Sequence, residues 1–207
     1  MDVLLNNAGI ATRNNLPNYT ITENGFEYYF GVNYLGTYAL IGLLFDLLKN
    51  TNNSRIIMVS SLSHKQGKIE FEDLNKHQSK MKLYAKSKLA ELLFTYELSR
   101  QIQNQNINIM SVAVHPGFAR TNTEKAVFPY KQMEKLIAQT AEKGTLPLLY
   151  ACTGSDVKTG DFLGPKGFFG IKGYPSRTHS SKSSYNENDA KKLWEISEDV
   201  TKVKFLF

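Results

Sequence analysis

The chain has 207 residues, of which 42% are hydrophobic and 21% charged, and a formal net charge of +6. This composition is typical of a folded globular protein and excludes general disorder, and a chain of this length most simply forms a single domain, 1–207. The lysines are scattered among acidic residues, with no basic run interleaved with aromatic residues, so the charge does not indicate nucleic-acid binding.

The single cysteine, Cys152, cannot form an intrachain disulfide, which favours a reducing compartment. No basic N-terminus precedes an apolar signal region, so we expect no secretory signal and a cytoplasmic protein. The longest apolar stretch, YALIGLLFDLL at 38–48, contains Asp46 and is too short to span a bilayer. We therefore predict no transmembrane segment.

Four short apolar runs have the character of buried strands. They are DVLLNNAGI at 2–10, SRIIMVSS at 54–61, INIMSVAVHPG at 107–117 and GDFLGP at 160–165. Each ends in polar or turn-forming residues, as strands that run into a loop do.

Long segments with helical periodicity separate these runs, at 22–49, at 82–104 and near 130–152. Apolar strands that alternate with helices indicate a parallel sheet covered on both faces. The predicted fold class is α/β. Ligands in such folds bind beyond the carboxyl ends of the strands, so the residues that close each strand are candidates for a site.

The helix that begins in YAKSK, 84–88, places Tyr84 and Lys88 four residues apart and therefore on one face. Such a pair is often just a packed ring beside a lysine whose ammonium reaches solvent. A functional interpretation needs support from other parts of the chain.

Five motifs supply that support. They are NNAG at 6–9, the asparagine of VNYLG at 32–36, VSS at 59–61, YAKSK at 84–88 and HPGFART at 115–121. Their order and spacing resemble those of the short-chain dehydrogenase/reductase family, and the sequence around them is similar to that of its retinol-dehydrogenase-like branch. The resemblance covers nearly the whole chain and implies a Rossmann-like, doubly wound parallel sheet.

The resemblance implies catalytic roles for Asn33, Ser61, Tyr84 and Lys88. Tyr84 would be the general acid and base of an alcohol/carbonyl interconversion, since a nearby ammonium favours a phenolate. Ser61 would hydrogen-bond the reacting oxygen, with Ser60 as the neighbouring candidate for that role. Asn33 would help to hold a water near Lys88.

The family uses NAD(P), and the branch resemblance favours NADP. Besides Tyr84 and Lys88, the implied cofactor-binding residues are Asn6, Ala8, Gly9, Pro116, Gly117 and Thr121. The first three match a motif beside the adenosine half of the cofactor, although a simple strand-ending turn also explains them. The last three match the turn beside the nicotinamide. No metal is expected, because the histidines lack ligand spacing, and His64 is expected in a surface loop.

The chain resembles the family only from its fourth strand to its seventh, so we expect an N-terminally truncated sheet without the glycine-rich phosphate turn. The first strand would then be an uncovered apolar edge. We expect weak or undetectable dinucleotide binding by the 207 residues themselves. The residue that distinguishes NAD from NADP in the family has no counterpart here.

Substrate-loop regions are expected near 122–150 and 164–190, and their apolar residues suit a small hydrophobic alcohol or carbonyl substrate. The alternative is a catalytically silent remnant that serves as a binding or dimerisation module through the helices at 22–49 and 82–104. A nucleotide-binding regulator is a third hypothesis. A homodimer agrees with the paired helices of the family.

Overall fold

The structure is a computed structural model, and it describes residues 1–12, 17, 19–119 and 138–207. These residues contain a five-stranded sheet whose spatial order follows the chain. The first four strands are parallel and the fifth is antiparallel. The strands are β1 (Val3–Asn6), β2 (Ser54–Val59), β3 (Ile109–Val114), β4 (Phe162–Pro165) and β5 (Pro175–Arg177).

The predicted α/β class and its four parallel strands are confirmed. β5 was not predicted, because a three-residue strand that starts with proline carries no strand signal. Proline is tolerated there because β5 lies at the edge of the sheet, where a missing N–H breaks no ladder. At the other edge, β1 leaves Val3 and Leu5 exposed, as predicted.

The helices lie between and after the strands. They are a π-helical turn (Phe30–Leu35), α1 (Gly36–Lys49), a 3₁₀ helix (Leu62–Gln66), α2 (Lys80–Asn104), α3 (Ala141–Thr153), two short 3₁₀ helices (Phe168–Gly170 and Lys182–Tyr185) and α4 (Glu187–Thr201). The predicted helix at 22–49 begins only at residue 30. The start of the one predicted near 130 lies outside the described residues.

The helix α4 was missed by the sequence analysis, although its start is marked. The side chain of Asn186 accepts hydrogen bonds from the backbone N–H groups of Asn188 and Asp189, which is an N-cap. Glu187 and Asp189 place negative charge in the first turn, where the helix dipole favours it. A capping residue followed by acids was therefore a usable signal.

The central strands β2 and β3 are buried on both faces. Ile56 and Met58 of β2 pack on the side of α1, α2 and α4, whereas Ile57 and Val59 pack on the side of α3. This explains why the strands are continuous apolar runs rather than alternating ones.

The helix α3 accounts for residues 141–150 of the expected substrate-loop region 122–150.

The helix α2 is central to the larger core. The sheet side of α2 packs on β2 and β3, and α4 covers its other side. Phe94 of α2 stacks on Trp194 of α4 with ring centroids 5.5 Å apart. The residues of α2 from Ala85 to Ser99 are all buried within this chain.

One helix among the described residues is long and apolar enough to cross a membrane by length and composition, namely Phe30–Lys49 counted through the π-helical turn. It is longer than the apolar stretch 38–48 considered above. Core helices also meet these criteria, and Tyr38, Ile41 and Phe45 of this helix are buried. The absence of a transmembrane segment stays a prediction.

Candidate active site

The carboxyl ends of the first three strands meet at one edge of the sheet. Asn6 of β1 pairs with Met58 of β2, and Val59 of β2 pairs with Val114 of β3. The residues that follow these strands therefore lie side by side. This is the edge where open α/β sheets bind ligands.

Lys88 is the buried cation of this edge. Its ammonium donates to the carbonyl oxygen of Val59 at 3.0 Å and to Oε1 of Glu91 at 2.8 Å. It also lies 5.7 Å from the centre of the Tyr84 ring. An ammonium has three N–H donors, so one remains for a ligand.

Tyr84 lies at the start of the second turn of α2 and is half-buried. The Tyr29 ring packs edge-on against it, with ring centroids 6.1 Å apart. The ring is therefore fixed between Tyr29 and the ammonium of Lys88. The predicted neighbourhood of Tyr84 and Lys88 is present in the structure.

The two serines after β2 have different surroundings. The hydroxyl of Ser60 is buried and donates to the carbonyl of Lys88 at 2.8 Å. The hydroxyl of Ser61 is half-buried, and its hydrogen bonds to described residues are two long ones, of 3.2 and 3.3 Å, to Ser63 within its own turn. Within the described part of the chain, Ser61 is thus less engaged than Ser60, and its substrate contact stays a prediction.

The expectation of a surface-loop His64 is wrong, because this side chain is fully buried. Its Nδ1 lies 2.6 Å from the carbonyl oxygen of Ser61, and its Nε2 accepts the backbone N–H of Ser181 at 3.0 Å. Since a carbonyl only accepts, the proton must be on Nδ1. Burial lowers the pKa of His64. The ring therefore ties the Ser61 turn to the C-terminal part of the chain.

Asn33 lies in the π-helical turn and is buried. Its Oδ1 accepts the N–H of Ile10 at 2.8 Å, and its Nδ2 donates to the Ile10 carbonyl at 3.0 Å and to Ser87 Oγ at 3.0 Å. These bonds brace the turn after β1. The sequence did not reveal Ser87 as a bridge between this turn and α2.

The turn after β1 comes close to the lysine. A Cβ on Gly9 would lie 3.0 Å from Oδ1 of Asn33 and 3.9 Å from Nζ of Lys88. Ala8 and Gly9 are exposed, and the side chain of Asn6 donates to the carbonyl of Ile57 at 3.3 Å. Asn6 thus braces the sheet, and the two small residues leave an open surface beside the ammonium.

The turn after β3 is closed by other parts of the chain. The carbonyl of Pro116 accepts from Gln139 at 2.7 Å. Gly117 has a φ of 69°, and a Cβ there would lie 2.4 Å from the carbonyl oxygen of Ile171. These contacts position the turn without occupying its outer surface. Thr121 lies outside the described residues.

His115 ends the same strand and is buried. Burial, helped by the nearby His64 and Lys65, lowers its pKa to about 4. Its ring fills the space over Gly164, where a Cβ would lie 2.0 Å from Nε2. His115 is therefore a neutral packing residue.

Glu91 is the residue near the site that the sequence analysis missed. It lies three residues after Lys88 within the apolar run LAELLF, and a charge at that place in a buried helix was the available signal. Burial raises the pKa of the Glu91 carboxyl to about 7, and Lys88 opposes the rise. Its Oε2 is buried without a hydrogen-bond partner among the described residues.

These residues fit the nicotinamide end of a dinucleotide. The free donor of Lys88 suits a ribose hydroxyl, and the half-buried phenol of Tyr84 suits a reacting oxygen. Ala8 and Gly9 are exposed and leave room along this edge for the rest of the cofactor. The arrangement can hold a small carbonyl or alcohol and transfer a proton to or from its oxygen.

A Rossmann-like α/β sheet with a polar site at its carboxyl edge is common to many nucleotide-dependent enzymes. Comparison with known proteins shows to which family among these enzymes the chain is similar. A model of the short chain dehydrogenase family matches residues 1–132. The chain belongs to the short-chain dehydrogenase/reductase family, and its relatives place it in the retinol-dehydrogenase-like branch.

Two curated relatives illustrate the likeness. Retinol dehydrogenase 14 from Mus musculus is 39% identical over 209 residues, which cover 96% of this chain and 58% of that protein. Polyprenol dehydrogenase from Homo sapiens is 31% identical, with coverages of 98% and 62%. The chain thus spans about three fifths of the length of these relatives.

A solved structure gives the same result. The crystal structure of an uncharacterised protein from Mycobacterium Paratuberculosis is 36% identical, with a TM-score of 0.82. The match covers 100% of this chain and 69% of that one. The described fold is therefore found in an independently determined structure.

Proposed function

We propose that the protein is an NAD(P)-dependent oxidoreductase that interconverts an alcohol and a carbonyl, with Tyr84 as general acid and base. The observation that carries the proposal is the position of the Lys88 ammonium, 5.7 Å from the centre of the Tyr84 ring and anchored on the Val59 carbonyl. A cation held beside a phenol favours its ionised form, which a general base at neutral pH requires.

When bound at this edge, NAD(P) would supply the hydride exchange with the alcohol or carbonyl carbon. When an alcohol is oxidised, the phenolate of Tyr84 takes the hydroxyl proton as the C–O double bond forms. When a carbonyl is reduced, the phenol of Tyr84 gives its proton to the oxygen. Ser61 donates a hydrogen bond to the reacting oxygen and holds it near the phenol.

The substrate class follows from the relatives and is a proposal for this chain. Retinol and polyprenol dehydrogenases are named for apolar alcohols. We infer a hydrophobic primary alcohol or aldehyde as substrate, with NADP as the favoured cofactor. The single-domain organisation and the cytoplasmic location predicted from the sequence belong to the same proposal.

The test is the turnover of an apolar aldehyde with NADPH and with NADH. It is made on the 207 residues and on a length-restored protein in which the glycine-rich half of a relative precedes residue 1. Tyr84→Phe should abolish turnover and leave cofactor affinity, followed by nicotinamide fluorescence, nearly unchanged. Tyr38 on α1 provides the control, since its hydroxyl has no hydrogen-bond partner among the described residues and Tyr38→Phe should keep full activity. Persistent turnover in Tyr84→Phe would refute the assignment.

The silent binding module is the second candidate, and one observation favours it. Leu40, Leu43 and Leu47 are exposed on one face of α1, where a partner would bury them. This candidate predicts no turnover in either form of the protein. It also predicts self-association, detected by sedimentation, that Leu43→Glu abolishes.

A further inference from the structure

The pair of Lys88 and Glu91 is buried more deeply than a stabilising ion pair needs to be. The two side chains are 9% and 3% exposed, and their charged atoms are 2.8 Å apart. Removing two charges from water costs several kcal/mol per ion, roughly as much as their attraction returns. The contribution of such a pair to stability does not explain its presence inside α2.

A second pair on the same helix shows what a structural pair looks like. Glu97 and Arg100 have the same spacing of three residues. Both oxygens of Glu97 accept hydrogen bonds, two from Arg100 and one from Gln101, and the arginine is 28% exposed. Glu91 in contrast has one oxygen on Lys88 and the other without a partner in the described part of the chain.

The position of Glu91 determines where the ammonium of Lys88 can be. The carbonyl of Val59 holds it from the side of the sheet, and the carboxylate of Glu91 holds it from the next turn of α2. With both anchors in place, Nζ stays 5.7 Å from the centre of the Tyr84 ring. Without Glu91, only one neutral anchor is left.

Among the described residues, Lys88 is the charge that acts on Glu91, and the following neighbouring groups are uncharged. The turn after β1 contributes Gly9, the π-helical turn contributes Asn33 and β2 contributes Val59. The titratable neighbours are Tyr84 and Lys88, both on α2, and Lys88 is the charge that acts on the Glu91 carboxyl. The protonation of Glu91 therefore changes the net charge beside the phenol directly.

We propose that Glu91 is a positioning residue, which fixes the ammonium of Lys88 beside Tyr84 and sets the net charge next to the phenol. The inference rests on the proposed function of Tyr84 and Lys88. With Glu91 ionised, the pair is neutral. With Glu91 protonated or replaced by glutamine, the positive charge of Lys88 beside the phenol is uncompensated.

The first test needs no turnover and uses the 207-residue chain. Carboxyl ¹³C NMR should show one glutamate that titrates near pH 7, and Glu91→Gln should remove that signal. In Lys88→Met the midpoint should move up by about one pH unit or more, because the opposing cation is gone. A titration midpoint in the ordinary glutamate range, or one that does not change in Lys88→Met, would overturn the proposal.

The second test is the pH profile of alcohol oxidation. Glu91→Gln should shift its acidic limb to lower pH by about half a unit or more, whereas the matched control Glu97→Gln should leave the limb in place. A purely structural role would lower the rate at all pH values alike, and an unmoved limb would overturn the proposal. A wild type that titrates as expected and shows no turnover would instead refute the proposed function.

Discussion

Both backbone hydrogen-bonding groups of Ile10 are bound by the side chain of Asn33, at 2.8 Å for the N–H and 3.0 Å for the carbonyl. A side-chain amide can do both at once, because its oxygen accepts and its NH2 group donates. This fixes the turn after β1 against the π-helical turn, and through Gly9 against the ammonium of Lys88.

Asn33→Asp should destabilise the protein, because a carboxylate at this buried place faces the Ile10 carbonyl without a donor. We expect the free energy of unfolding to fall by about 2 to 4 kcal/mol in urea titrations at pH 7. The control is Asn188→Asp on the exposed first turn of α4, which should change it by less than about 0.5 kcal/mol. Equal effects in both variants would contradict this function of Asn33.

Substitution of Ser60 should mainly lower stability, whereas substitution of Ser61 should mainly lower activity. Ser60→Ala leaves the carbonyl of Lys88 without its buried donor and should cost about 1 kcal/mol of stability with most of the turnover kept. Ser61→Ala should lower the turnover of the length-restored protein by about 100-fold, since the reacting oxygen loses a donor. The measurements are urea unfolding and aldehyde reduction. The reverse pattern would give Ser60 the catalytic role.

Gly164 should not tolerate a side chain. The new methyl of Gly164→Ala would lie 2.0 Å from Nε2 of His115, in a closed part of the core, and we expect a loss of about 3 kcal/mol. Gly36→Ala is the control, since its Cβ meets nothing closer than 3.4 Å and alanine favours a helix. In the double variant with His115→Ala, part of the Gly164→Ala cost should disappear. An additive result would rule out this clash.

Acid should destabilise the protein through its two buried histidines. Burial lowers the pKa of His64, and it lowers that of His115 to about 4, so both are neutral when folded and take up a proton on unfolding. The two neutral histidines make their full contribution to the free energy of unfolding above about pH 6.5. This contribution is lost as the pH falls towards the pKa values of the folded protein, and the loss for His115 is about 3 kcal/mol.

Urea unfolding between pH 7 and pH 4.5 measures this loss. His115→Asn should flatten the dependence on pH even where it lowers stability overall, whereas His179→Asn, in an exposed loop, should leave the slope unchanged. An unaltered slope in His115→Asn would show that other groups cause the acid sensitivity.

The sequence by itself determined the strands, their polar ends and the helical spacing of Tyr84 and Lys88. These features are local: side-chain periodicity fixes which residues are buried, and parallel strands bring their carboxyl ends to one edge. The α/β class and the family followed from them and are confirmed.

The tertiary structure decided which polar groups are engaged and which are free. The depth of Glu91, the burial of His64, the π-helical turn around Asn33 and the difference between Ser60 and Ser61 all depend on partners distant in the chain. A hydrogen bond requires an approach to about 3 Å, and the sequence does not show which carbonyl packs within that distance. Candidate site residues could therefore be proposed from the sequence, whereas their hydrogen-bonding and charge states required the packed fold.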